Sequence, residues 1–213
     1  DMVIGSANYD IGHVFSTGGG GIANFAGPCN NGNKANGVTG SGSPIGDNFD
    51  IDYVAHEMGH QFTGGHTWNS IGVSNCSAGQ FSGGTSFEPG SGSTIMSYAG
   101  ICDSVDVQPH SDDYFHAISL QQIVSYSQSG TGSTCGTLVS VANNQPTVSA
   151  GADFTIPRGT PFKLNASGSD PDGNAIRYCW EQMDNQPINH PPASTAINGP
   201  VFRSFNPTVS PVR

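Results

Sequence analysis

The sequence predicts an α+β fold that continues into an all-β segment, and three observations support this prediction. Residues 50–62 and 111–126 each have the apolar spacing of an amphipathic helix. After residue 135, short runs of strand-forming residues alternate with Gly, Pro and Asp turns. We therefore expect a mixed α/β domain at residues 1–142. An immunoglobulin-like β-sandwich should follow at residues 143–213, incomplete because about four or five of its roughly seven strands fit in the chain.

The first helix carries acidic residues where they suit its positive end. Asp47 and Asn48 can cap the helix, and Asp50 and Asp52 follow in its first turn. We expect this helix to stop at the Gly pair at residues 64–65.

The second helix is expected to begin at Ser111, with Asp112 and Asp113 in its first turn. Residues 1–28 predict extended segments around a Gly-rich loop, and residues 67–94 predict a long loop without helical periodicity. Two helices thus separate stretches of irregular chain.

Composition excludes several classes of function. The formal net charge is −10 at pH 7 and only 10% of residues are charged, so neither nucleic acid nor an anionic membrane surface is an expected partner. No run of about 18 apolar residues occurs, which argues against a membrane span. With 30 Gly but 35% hydrophobic residues, the chain is expected to be folded and loop-rich, which is typical of secreted proteins.

The cysteines indicate an oxidising compartment. They lie far apart, at positions 29, 76, 102, 135 and 179, and no Cys-x-x-Cys pair occurs. This spacing argues against a cysteine zinc site and favours disulfides. One cysteine is left over. We interpret Cys179, beside Trp180 in a predicted strand, as a buried thiol rather than as a site of intermolecular pairing.

A histidine cluster predicts a zinc site. His56 and His60 are four residues apart, so both imidazoles project from one face of a helix, and Glu57 is offset by about 100° around the axis. The Gly pair at 64–65 lets the chain turn so that His66 approaches from another side. Three neutral imidazoles leave one open position on the ion, which is typical of catalytic zinc.

A His-Glu-x-x-His match alone is as often a surface accident as a metal site. Here the third histidine has the required spacing, and Ser93-Thr94-Ile95-Met96-Ser97-Tyr98 follows about thirty residues later. Together these features favour catalytic zinc.

On these motifs the chain resembles the metzincin clan of zinc endopeptidases, and most closely its bacterial reprolysin-like members. The segments HEMGHQF…HTW, EPGSGSTIMSYAGIC and SDDYFH carry the resemblance, which covers residues 1–135. The resemblance implies that His56, His60 and His66 ligate zinc, that Glu57 is the general base, and that Met96 of the Met-turn forms an apolar floor under the metal.

The resemblance implies further roles. Tyr98 is similar to a tyrosine that approaches the metal and can hydrogen-bond the substrate; the alternative is a core tyrosine bonded to the backbone. Disulfides Cys29–Cys135 and Cys76–Cys102 are expected. The chain has Thr63 where the clan usually has Gly, so we expect the turn to be displaced by one residue, onto the Gly pair.

Residues 20–26 are expected to form the edge strand of the cleft, as the resemblance implies. An unpaired strand edge offers N–H and C=O groups to an extended peptide, which makes Gly21, Ile22, Ala23 and Asn24 candidate substrate-binding residues. The alternative is an ordinary strand covered by the missing N-terminal segment or by the second domain.

The segment from residue 145 resembles the opening strands of a PKD-like domain, on its SDPDG turn and its Tyr178/Trp180 pair. Asp170 and Asp172 could ligate calcium, but we interpret them as an ordinary turn. Metzincins carry a longer segment before their zinc helix than the 55 residues that precede His56. We therefore expect a processed fragment that lacks part of its N-terminal subdomain, with further fragments of the same precursor as candidate partners; the alternative is a compact family variant.

Loop acids leave a calcium site open. Asp47, Asp50, Glu88, Asp103 and Asp106 have few Lys or Arg partners, and calcium would convert their repulsion into crosslinks. The same side chains could equally be helix caps and solvated loop charges.

Together these observations predict a secreted zinc endopeptidase acting on proteins or peptides. A zinc-activated water would attack the peptide carbonyl, with Glu57 as general base and then general acid. The competing hypothesis is a polysaccharide- or protein-binding adhesin fragment with an inactive zinc site, against which the intact Glu57 argues.

Overall fold

The computed structural model describes residues 3–185 and 198–213, and these residues divide into two units. The first unit comprises Asp1–Thr137 and Glu181–Ser204, and the second comprises Leu138–Trp180 and Phe205–Arg213. Residues 181–185 and 198–204 therefore belong structurally with the unit that holds the histidine cluster, although they follow the β-rich stretch in sequence.

A three-stranded sheet precedes the first helix. Strands β1 (Val14–Ser16), β2 (Gly20–Ala23) and β3 (Gly37–Gly40) lie in the order β1-β3-β2. β1 is parallel to β3, and β2 is antiparallel to it. β2 is therefore an end strand, within the stretch predicted to be an edge.

The first helix, α1, begins with the turn Asp47–Phe49, continues as a π-helix over Asp50–Ala55 and ends as an α-helix over His56–Gln61. Its N-cap is Gly46, whose carbonyl accepts from the backbone N–H groups of residues 49 and 50, so the predicted capping by Asp47 and Asn48 is wrong. π-helical turns are frequent at functional sites, and this one ends immediately before the first histidine.

A long irregular stretch follows, interrupted by the 3-10 helix Asp103–Val105. Its core is a buried cluster of Trp68, Cys76, Cys102 and Val105, in which the two cysteines form a disulfide. Since regular backbone hydrogen bonding is scarce here, the crosslink and this cluster order the loop.

Helix α2 spans Ala117–Ser129 and begins six residues later than the sequence predicts. The prediction of a start at Ser111 is wrong because the backbone N–H of Ser111 donates to Asp52 and that of Asp112 donates to the Ser93 carbonyl. Tertiary partners thus hold this stretch extended. His116 caps the helix instead, with its Nδ1 accepting from the Ile118 N–H at 3.3 Å.

A disulfide and a hydrogen bond join the chain after β2 to the chain at and beyond α2. A disulfide links Cys29 to Cys135, and the Tyr126 hydroxyl of α2 donates to the Pro28 carbonyl at 2.7 Å. The 3-10 helix Ser6–Asn8 precedes β1 in the chain, and the 3-10 helix Thr131–Ser133 follows α2.

The second unit contains strands β4 (Thr147–Ser149) and β5 (Ser167–Ser169), paired antiparallel, and the isolated bridges Asn165–Val212 and Tyr178–Thr208. Among the described residues these elements do not amount to a sandwich, which stays a prediction. Asp170 accepts from the N–H groups of residues 172 and 174, as the turn interpretation requires.

Cys179 is exposed, so its predicted burial is wrong. Tyr178 and Trp180 are half-buried on either side of it, and because extended residues alternate between two faces, Cys179 faces the opposite side. Its thiol donates to the Phe205 carbonyl at 3.3 Å. No helix within the described ranges combines the length and apolar character that crossing a membrane requires.

Candidate active site

Three imidazoles converge at the end of α1. His56 and His60 lie one turn apart on the helix, and the chain then turns back so that His66 meets them. Their ligand-capable nitrogens lie within 4.8 Å of one another, and the Nε2 atoms of His60 and His66 are 3.0 Å apart. All three side chains are buried.

Each ring is held by a backbone carbonyl. The Nδ1 atoms of His56, His60 and His66 bond to carbonyl oxygens at 2.7, 2.7 and 2.5 Å, those of residues 95, 64 and 80 respectively. A carbonyl only accepts, so each Nδ1 carries the proton and each Nε2 presents a lone pair.

The protonation states suit a cation. Burial lowers the pKa of all three imidazoles, that of His60 to about 4, so all are neutral near pH 7. Three lone pairs directed at one point repel one another unless a cation lies between them. An all-imidazole donor set of this kind fits zinc.

Glu57 lies beside this cluster, beneath β2. A Cβ added to Gly21 would lie 2.4 Å from Glu57 Oε1, so the strand passes close over the carboxylate only because residue 21 is Gly. Burial raises the pKa of Glu57 to about 7. Its Oε2 is buried and has no hydrogen-bond partner among the described residues, which leaves it available to a bound reactant.

Met96 is completely buried beneath the histidine helix. A Cβ on Gly59 would lie 2.4 Å from Met96 Sδ, and one on Gly64 would lie 3.4 Å from it. The Met-turn therefore packs directly against the helix at a position where only Gly fits.

The turn toward the third histidine centres on Thr63, which has φ 74°. The Thr63 N–H donates to the His60 carbonyl and the Gly64 N–H donates to the Gly59 carbonyl, both at 2.8 Å, a Schellman motif that requires left-handed backbone at residue 63. The predicted displacement onto the Gly pair is wrong. Gly64 is small for another reason: a Cβ there would lie 3.0 Å from the Gly59 carbonyl oxygen.

Tyr98 lies next to the cluster. Its ring centroid is 4.5 Å from that of His66 and 5.6 Å from that of His56. Burial, together with the charge of Glu57, raises the pKa of Tyr98 to about 12. The phenol is therefore protonated near neutral pH and can donate a hydrogen bond in the cleft.

Glu88 is a site residue that the sequence prediction assigned differently, as a loop acid. It is 1% exposed, and its carboxylate accepts from Thr67 Oγ1, from both N and Oγ of Ser93, and from both N and Oγ1 of Thr94. These donors adjoin His66 on one side and the Met-turn on the other. The sequence signal that could have indicated this role is an acidic residue in a Ser/Thr/Gly-rich stretch just before the Met-turn.

A cleft of about 800 Å3 opens beside the histidines. Its lining includes Gly20, Gly21, Tyr53 and Glu57, and also Ser97–Ile101 and Pro109–Ser111. Of the four predicted substrate-binding residues, Gly21, Ile22 and Ala23 lie in β2, and Asn24 follows, with its N–H donating to the Asn36 carbonyl at 2.9 Å. Within the described ranges, no strand pairs with the outer edge of β2.

A family model, metallo-peptidase family M12B reprolysin-like, matches residues 2–127. The chain belongs to this family. No curated protein and no solved structure matches it. Membership of the M12B metallopeptidases supports a zinc metallopeptidase with protein or peptide substrates, and the three histidines of this M12B chain fit the metal.

The calcium prediction gains no support. Within the described ranges, one group of His, Cys, Asp or Glu side chains is arranged to hold a metal ion, and it is the three histidines. Two of the five acids accept from neutral donors instead: Glu88 as above, and Asp106 from the N–H groups of Gly100 and Cys102.

Proposed function

We propose that this M12B metallopeptidase is a secreted zinc endopeptidase that cleaves extended protein or peptide chains. The observation that carries the proposal is the placement of Glu57: a buried carboxylate with one unpartnered oxygen, beside three convergent neutral imidazoles and beneath an end strand.

His56, His60 and His66 would hold the zinc. When bound, zinc would supply a Lewis acid that polarises the substrate carbonyl and lowers the pKa of a water molecule. The chain holds the three rings through backbone carbonyls, so their lone pairs stay directed at one point.

Glu57 moves the proton. With a pKa raised to about 7, its carboxylate can take up a proton from the attacking water and deliver it to the leaving amine near neutral pH. We assign Oε2 to this transfer because it has no competing hydrogen bond among the described residues.

Tyr98 and β2 orient the substrate. The protonated phenol of Tyr98 donates to the reacting carbonyl oxygen as negative charge develops there. The outer edge of β2 pairs with an extended peptide through the backbone groups of Gly21 and Ala23, because the Asn24 N–H is bonded to the Asn36 carbonyl and alternate residues of a strand face opposite edges. Main-chain hydrogen bonds of this kind give affinity with little sequence demand. Secretion accords with two disulfides, which form and persist in oxidising compartments.

A Glu57→Gln variant tests the proposal. It keeps the size of the side chain but removes the proton acceptor, so we expect zinc content to be unchanged and cleavage of an unfolded protein to fall about a thousandfold. Asp153→Asn in the second unit is the control for loss of one acidic charge, and should cleave normally.

Wild-type turnover in the Glu57→Gln variant would refute the assignment. Binding of a polysaccharide or a protein by the wild type, without cleavage, would favour the alternative of an adhesin fragment with an inactive site.

A further inference from the structure

Part of the cleft lining comes from a segment without regular structure. Residues 107–117, here called the wall segment, include the cleft-lining Pro109–Ser111 and end where α2 begins. Pro109 and His110 are exposed, so little packing by their own side chains keeps this segment in place. The end of the segment is packed, since His116 is buried and stacked on Phe87. The exposed part that lines the cleft depends more on hydrogen bonds from other parts of the chain.

The wall segment is bonded to the helix and to the Met-turn region on its cleft side. Asp52 of α1 accepts from the Ser111 N–H at 2.7 Å and bonds to His110 Nδ1 at 2.9 Å. The Asp112 N–H donates to the Ser93 carbonyl, and the Tyr114 carbonyl accepts from the Ile95 N–H.

A second set of bonds comes from residues 181–185 and 198–204, here called the brace. Arg203 donates to the Val107 carbonyl at 3.4 Å and to Gln108 Oε1, and its Nη2 lies 3.9 Å from Asp112 Oδ2. Three positions along the wall segment are thereby tied to one guanidinium, which lies 96 residues after Val107 in the chain.

Two further brace side chains bind the end of the wall segment. Ser204, only 2% exposed, accepts from the Tyr114 hydroxyl at 2.6 Å and donates to Glu181 Oε1 at 3.0 Å. Glu181 Oε2 accepts from the Ala117 N–H at 2.6 Å, a donor that has no partner within α2. A carboxylate at a helix N-terminus is electrostatically favourable.

The brace is itself cross-bonded. Gln182 Oε1 accepts from the Val201 and Phe202 N–H groups at 2.9 and 3.0 Å, and Gln182 Nε2 donates to the Gly199 carbonyl at 3.1 Å. These bonds join its two parts, so Glu181, Arg203 and Ser204 are presented to the wall segment together.

We propose that the brace is a positioning element of the cleft: it fixes the wall segment and thereby sets which substrate side chain the cleft accepts. The expected effect on substrate selectivity rests on the proposed function, whereas the contacts between the brace and the wall segment do not. Because none of the brace bonds described above involves one of the three histidines, its loss changes substrate binding and selectivity while zinc stays bound.

Two substitutions in the full chain test this. Arg203→Met removes the guanidinium, and Glu181→Ala removes the carboxylate at α2. We expect backbone amides of residues 107–117 to exchange with solvent about fivefold faster in each variant. Arg213→Met in the second unit is the matched control, since Arg213 lies over Phe205 and should leave this exchange unchanged.

Kinetics with a randomised peptide library give the second readout. We expect KM to rise about five- to tenfold with kcat changed less than twofold, and preference for the side chain that enters the cleft to broaden. Zinc content should equal that of the wild type in all three variants.

Wild-type exchange rates in both brace variants would overturn the proposal, and so would faster exchange with KM and preference unchanged. A wild type that cleaves nothing would contradict the proposed function instead, and the exchange rates would still decide whether the brace holds the wall segment.

Discussion

The histidine cluster and the wall segment of the cleft are held by different kinds of contact. Each imidazole donates to a backbone carbonyl, a group that no side-chain substitution removes. The wall segment depends instead on side chains distant in sequence, Asp52 before it and Glu181 and Arg203 after it. Substitutions should therefore alter selectivity more readily than metal binding, because the two properties rest on separable supports.

Glu88 is an exception, because here a side chain supports the region of the histidine cluster. Its substitution should have the largest effect. Glu88→Ala would leave five buried donors without their acceptor, beside His66 and beside the Met-turn. We expect a loss of about 3–5 kcal/mol in the free energy of unfolding and weaker zinc retention against a chelator. Chemical denaturation and chelator competition measure the two effects.

Glu88→Gln supplies the control. One amide oxygen can still accept from the backbone N–H groups of Ser93 and Thr94, while the hydroxyls of Thr67 and Thr94 can rotate to accept from the amide NH2. We expect this variant to recover most of the stability and the zinc retention. Equal losses in both variants would mean that charge, rather than hydrogen bonding, holds the two segments together.

Acid should weaken the region of the histidine cluster in the zinc-free protein. In the unfolded chain His60 takes up a proton below about pH 6.5, but in the folded chain its pKa is about 4. Between these pH values the unfolded state binds more protons, so the free energy of unfolding decreases as the pH is lowered. His56 and His66 act in the same direction. Glu57, with a pKa of about 7, opposes them because its folded form binds the extra proton.

Because three histidines act against one glutamate, we expect the free energy of unfolding to decrease by about 1–2 kcal/mol for each pH unit of acidification near pH 5. Denaturation of the zinc-free protein at several pH values checks this slope. Arg203→Met should show the same slope, since it changes only the wall segment. A stability that is constant or that rises between pH 6.5 and pH 5 would contradict the neutral-histidine description.

Thr63 gives the smallest expected effect and concerns the turn to the third ligand. A β-branched residue at φ 74° is strained, so Thr63→Gly should stabilise the protein by about 1 kcal/mol, with zinc binding unchanged. Thermal unfolding measures the gain. Gly64→Ala is the contrasting variant and should destabilise, because its Cβ would lie 3.0 Å from the Gly59 carbonyl oxygen. A destabilised Thr63→Gly protein would show that the Thr63 hydroxyl bond to Gln122 outweighs the strain.

The sequence by itself determined the cluster of three histidines that fits zinc, and the existence of the helix that carries two of them. A four-residue spacing of His56 and His60 places both rings on one helical face whatever surrounds them, and the Met-turn motif specified what lies beneath. These features depend on local geometry, which periodicity and motif spacing express directly. The family match over residues 2–127 accords with the motifs that carried the resemblance.

Only the tertiary structure decided where α2 begins, which residue makes the turn, what Glu88 binds and to which unit residues 181–185 and 198–204 belong. Each depends on partners remote in sequence: the amides of the wall segment donate to Asp52 and Ser93 rather than along a helix, and Glu88 is satisfied by hydroxyls that the fold brings to it. A backbone or side-chain donor can bond within a helix, within a turn or to a residue remote in sequence, and the partner that lies close to it in the folded chain decides which bond forms. The spacing of residues in the sequence does not show which remote residues become neighbours, because folding brings them together.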